Sequence, residues 1–137
     1  MQIPLLPFGS PLEAAQFLGK PDEFEWKSRR TDAFSLLYAA KGLRLEFEDG
    51  KLVEVAYLVS ASACSHKSFA PSTPLAPDGS PLAHDVDRAR IIAIFGEPDP
   101  MGSDETCLQV FHGGGVVSDF YLDDDGHLTE WDLYPEN

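Results

Sequence analysis

The chain has 137 residues, 43% of them hydrophobic and 24% charged, which suits one globular domain with its own core and excludes a disordered or collagen-like chain. Ten Lys/Arg against 23 Asp/Glu give a formal net charge of −13, which argues against nucleic-acid binding through basic patches. Two cysteines are too few for a disulfide miniprotein, and no apolar run approaches the roughly 18 residues of a membrane-spanning helix.

The opening Met1–Pro7 has no basic residue and two prolines, so no signal peptide is expected. Cys64 and Cys107 are then read as reduced thiols of a cytoplasmic protein. Ser10 as N-cap, Pro11 at the first helical position and Glu13 completing a capping box predict a helix ending at Gly19 and Pro21. Its apolar stripe is Leu12, Ala15 and Phe17-Leu18. Trp26, between acids and Lys27, is either an exposed aromatic or a core residue. Alternation then predicts strands around Phe34–Tyr38, Leu43–Phe47 and Val53–Tyr57, the last two joined by an Asp49-Gly50 hairpin turn. The Ser/Ala/Pro-rich stretch 60–79 reads as a surface crossover. Asp85 is the expected cap of a second helix with Val86, Ala89, Ile92 and Phe95 at helical spacing, stopped by Gly96 and Pro98. Strands around Leu108–His112, Val116–Leu122 and Thr129–Leu133 follow, with Asp125-Gly126 turning the last hairpin.

The two halves echo each other. Leu18-Gly19-Lys20-Pro21-Asp22 returns 77 positions later as Phe95-Gly96-Glu97-Pro98-Asp99, and the stretch Asp49–Val55 returns 76 positions later as Asp125–Trp131. The predicted fold class is therefore α+β. Two helix–strand–strand–strand pseudo-repeats, 8–59 and 80–135, form one antiparallel sheet of about six strands, with helices packed on one face of a single domain, 1–137. This tandem of short helix, G-x-P-D stop and D-G hairpin resembles the beta-lactamase inhibitor protein family and the small outer-membrane assembly lipoproteins of related fold. The compact, acidic α+β form is similar to bacterial cytoplasmic immunity proteins. The resemblance spans 8–58 and 82–134, and it implies the fold and an inhibitory protein–protein role. The chain departs from those families in lacking an export signal, a lipobox cysteine and the inhibitor's disulfides, so none of their functional residues carries over.

Charge supplies the functional clue. Residues 1–60 hold seven Lys/Arg and nine Asp/Glu, whereas 61–137 hold three and fourteen, with no cation after Arg90. A field this uncompensated speeds capture of a cationic partner and repels nucleic acid and anionic lipid.

Catalytic motifs are incomplete. His112-Gly113-Gly114-Gly115 is like an esterase oxyanion loop, but no G-x-S-x-G nucleophile accompanies it. In Asp123-Asp124-Asp125-Gly126, a calcium-loop alignment puts Tyr121 at the first ligand position and Asp132 in place of the final Glu. The four histidines and two cysteines match no zinc spacing, and Cys64 would be reactive only beside a cation such as Lys67 or His66. Paired carboxylates are too numerous for any one pair to be singled out as catalytic. No cofactor or metal is assigned.

If the apolar strand positions face the helices, then Arg44, Glu46, Glu48, Glu54, Asp119, Tyr121, Glu130 and Asp132 line the opposite face. Glu46, Glu48, Glu54, Asp119, Tyr121, Asp123, Glu130 and Asp132 are the expected partner-binding residues. The expected function is that of a non-catalytic acidic immunity or inhibitor protein, occluding the active site of a basic partner such as a bacterial toxin. The alternatives are a small enzyme or small-molecule binder with a pocket between sheet and helices, or a subunit of a larger assembly.

Overall fold

The computed structural model describes residues 6–60 and 69–136, so the expectations on Met1–Leu5, Cys64, His66 and Lys67 lie outside the described residues. A 3-10 helix at Leu12–Leu18 opens the fold, and strands β1 (Glu23–Ser28), β2 (Ala33–Tyr38), β3 (Leu43–Glu48) and β4 (Lys51–Leu58) follow. The α-helix α1 (Arg88–Phe95) then precedes β5 (Cys107–His112), β6 (Val116–Leu122) and β7 (Leu128–Pro135). The strands form one antiparallel sheet in the order β1-β2-β3-β4-β7-β6-β5. The α+β class is as expected, with seven strands instead of about six. Among the described residues, no helix is long and apolar enough to cross a membrane.

The extra strand is β1. Phe24 and Trp26 alternate with charged residues, and their rings continue a ladder in which Phe24 stacks on Phe34 at 5.0 Å and Phe34 on Phe47 at 4.9 Å.

The first helix differs from expectation in type and cap. Ser10 is held against the start of β4, where its carbonyl accepts from the Leu52 amide at 2.8 Å and Pro11 bridges to Lys51. Its hydroxyl donates to the Pro7 carbonyl, so the capping box is not made, and Leu12 and Phe17 stay exposed while Ala15 is buried. In α1 the cap is Asp87, not Asp85. Asp87 is extended because it bridges to His127, and its carboxylate accepts from the Arg90 amide at 2.9 Å. Ile91 fills the buried position, whereas Ala89 faces outward.

Both helices bury their apolar residues against the same side of the sheet. Ala15 joins Leu36, Leu45, Phe47 and Val55, and Ile91 joins Leu108, Phe120, Trp131 and Leu133. Phe8 and Tyr57 pack against both groups, so the core is continuous across β4 and β7. A bulge after Glu46 puts Leu52, not Val53, opposite Phe47 and into the core. Gly42 takes a positive φ of 58° where Ala70, Ser72 and Leu58 backbone atoms crowd it.

Candidate functional site

The strand register sets out the residues of the side facing away from the helices. One row runs Leu37, Arg44, Ala56, Asp132, Asp119, Gln109, and the next runs Leu58, Glu130, Tyr121, Cys107. A third runs Glu25, Ser35, Glu46, Glu54. Seven of the eight expected partner-binding residues therefore share this face. Asp123 lies instead in the β6–β7 turn.

The face is not the open acidic platform expected from alternation. Glu46 and Asp132 are only 7% and 5% exposed, and Glu54, Asp119 and Glu130 are half-buried, leaving Glu48 and Tyr121 as the exposed members. The burial is organised around Arg44. Small Ala56 lies between it and β7, so the guanidinium reaches across β4 to Glu130 Oε2 at 3.2 Å and Asp132 Oδ2 at 3.9 Å. Its Nε stands 3.1 Å from Glu46 Oε1, while Glu46 Oε2 takes Lys27 Nζ at 3.0 Å and the Ser35 hydroxyl at 2.6 Å. Three carboxylates thus crowd one guanidinium, with Glu54 nearby and Lys27 at the rim.

The electrostatics show which charge wins at each position. Burial alone would lower the Arg44 pKa, but Glu130, Asp132, Glu46 and Glu54 hold it above the usual value. The carboxylates pay in the opposite sense. Burial, then the Glu130 carboxyl and Glu54, push Asp132 well above the ordinary carboxylate range against the pull of Arg44, and its Oδ1 is buried without a hydrogen-bond partner. Burial also raises Glu54, against the opposing pull of Arg44. Asp119 is raised by burial although Tyr134 donates to it at 3.0 Å, with Gln109 donating in turn to the Tyr134 hydroxyl at 2.9 Å. Beside this cluster lies a groove of about 310 Å³ lined by Lys27, Glu46, Glu48, Val53, Glu54 and Tyr134 among others.

Sequence reasoning missed Arg44 as the hub and missed Lys27, Gln109 and Tyr134. Alternation places Arg44 on the right face, but only the pairing of β4 with β7 reveals that Ala56 lets it cross.

The other motifs resolve structurally. Gly113, Gly114 and Gly115 make the β5–β6 turn, and His112 Nε2 lies 2.6 Å from the Ser118 hydroxyl, in a setting whose burial lowers the imidazole pKa. Ser118 also accepts from the Trp131 indole at 2.8 Å, so this histidine belongs to a core hydrogen-bond network. Burial, then Asp119, Asp104 and Asp132, push the Cys107 thiol up to about 12, which leaves it unreactive. In the β6–β7 turn, Asp123 Oδ1 accepts from the Asp125 and His127 amides at 3.0 and 2.9 Å, and Oδ2 lies 2.8 Å from His84 Nε2. His84, Asp123 and His127 are the one group of three metal-ligating side chains that the described residues bring together.

No family model, curated protein or solved structure matches this chain.

Proposed function

We propose that this chain is a non-catalytic acidic binding protein that docks a basic protein partner on the face centred on Arg44, in the manner of a bacterial cytoplasmic immunity or inhibitor protein. One observation carries the reading: Glu46, Glu130 and Asp132 share a single guanidinium, and half-buried Glu54 and exposed Glu48 lie beside them without an ion pair to it. Carboxylates in such surplus are stabilised by a further cation, and a lysine or arginine from a partner supplies it. The groove lined by Glu46, Glu48 and Glu54 gives that side chain a place to lie. The net charge of −13 steers the encounter.

The same reading takes the scaffold as a duplicated helix–strand–strand–strand unit. In its support, Gly19 and Gly96 end the two helices, and the Asp22 and Asp99 amides donate to Leu37 of β2 and Gln109 of β5. β4 and β7, the last strands of the two proposed units, pair at the centre of the sheet. One observation favours the small-molecule alternative, a groove of about 280 Å³ between the first helix and the sheet, lined by Leu12, Ala15, Phe24, Leu36 and Tyr38.

The test is capture of binding proteins from source-cell lysate on the immobilised chain, at low and high salt, beside a Glu48→Lys/Glu54→Lys variant of verified fold. A basic protein held at low salt, released by salt and lost by the variant is the expected result. Equal capture by both chains at every salt concentration overturns the docking face.

A further inference from the structure

His84 comes from the segment leading into α1, and Asp123 and His127 from the two ends of the β6–β7 turn. Two contacts fix these segments together: Asp87 bridges to His127, and the Leu128 amide donates to the Val86 carbonyl at 2.9 Å. Two backbone amides hold Asp123 Oδ1, which leaves Oδ2 directed at His84. The two imidazoles meet edge to face with centroids 5.5 Å apart. One ligand atom from each residue lies within 4.8 Å of the others. The 2.8 Å contact accounts for His84 and Asp123 alone and leaves the His127 ring beside them unexplained. A dication shared by all three accounts for the whole group.

We propose that His84, Asp123 and His127 bind a divalent first-row transition metal of the zinc class, with water completing its coordination. Two imidazoles and one carboxylate form a borderline donor set that suits zinc, nickel or copper, whereas calcium and magnesium take oxygen ligands. Ligand atoms about 2.1 Å from a tetrahedral ion stand about 3.4 Å apart, a value between the 2.8 Å of His84 to Asp123 and the 4.8 Å limit of the group. The His84 side chain is 50% exposed, which leaves it free to rotate and the site open to solvent. Neighbouring Asp124 and Asp125 draw cations toward it.

The experiment is calorimetric titration of the full chain with zinc chloride at neutral pH, beside His84→Gln and His127→Gln variants whose melting without metal matches the parent. The expected result is one equivalent bound by the parent and a loss of affinity of about tenfold or more in each variant. No binding by the parent, or unchanged affinity in both variants, overturns the site, the latter because it marks loose association with surface acids. Histidine ring resonances of the parent give a second readout that needs no variant. Saturable shifts at His84 and His127 support the site, and shifts confined to other residues overturn it.

Discussion

Arg44 is opposite Ala56, and Ala56 is opposite Asp132, so a methyl group is all that separates the guanidinium from β7. Removing that charge leaves Glu130 and Asp132 without their cation and Glu46 with Lys27 alone. Arg44→Met should destabilise the fold by about 3 kcal/mol, measured as a lower urea midpoint at pH 7 with an unchanged slope. The carboxyls set a pH profile. A carboxyl whose pKa is raised by folding binds its proton more tightly in the folded chain. Its contribution is full below the unfolded value of about 3.9 and is lost as pH rises through the folded value. Asp132, Glu54 and Asp119 are of this kind. Asp78, Asp104 and Asp123 are lowered, chiefly by backbone hydrogen bonds, so theirs is lost as pH falls. The urea midpoint should therefore rise as pH drops from neutrality toward the unfolded value of about 3.9 and fall as pH drops further. Asp132→Asn should flatten the upper limb by removing the group that titrates there. A midpoint that only falls from neutrality downward contradicts this assignment.

At the level of elements, six strands and both hairpin turns are legible as period-two alternation broken by D-G pairs, because each is a local pattern. β1 is not, since two aromatics among four polar residues over six positions give too short a signal, and its place is set by Phe34 across the sheet. The type of the first helix was likewise hidden, because Ser10 is bound to Leu52, 42 residues on. The acidic face was legible in direction and not in burial, which depends on β4 meeting β7. The His84 contact to Asp123 spans 39 residues, so spacing rules are blind to it. Gly42 and Gly50 separate two roles for glycine. A Cβ on Gly42 would meet Ala70 O at 2.5 Å and Ser72 N at 2.7 Å, both backbone, whereas on Gly50 it would meet only the movable Asp32 carboxylate. Both positions have positive φ. Gly42→Ala should cost about 2–3 kcal/mol and Gly50→Ala about 1 kcal/mol, read from thermal or urea unfolding. Equal losses would mean that the crowding at Gly42 is relieved by backbone movement.

At the scale of the whole molecule, five of the six strand pairings among the described residues join neighbours in sequence, and β4 with β7 joins the two halves of the sheet at its centre. A chain severed in the exposed turn between Asp78 and Gly79 keeps every hairpin of the sheet and opens only the turn in which Leu75 bridges to Pro81. Pieces 1–78 and 79–137 should therefore reconstitute the native fold when mixed, seen as recovery of the native near-ultraviolet circular dichroism. The first piece carries ten Asp/Glu against eight Lys/Arg and the second thirteen against two. Both mates are anionic, so added salt should hasten their reunion.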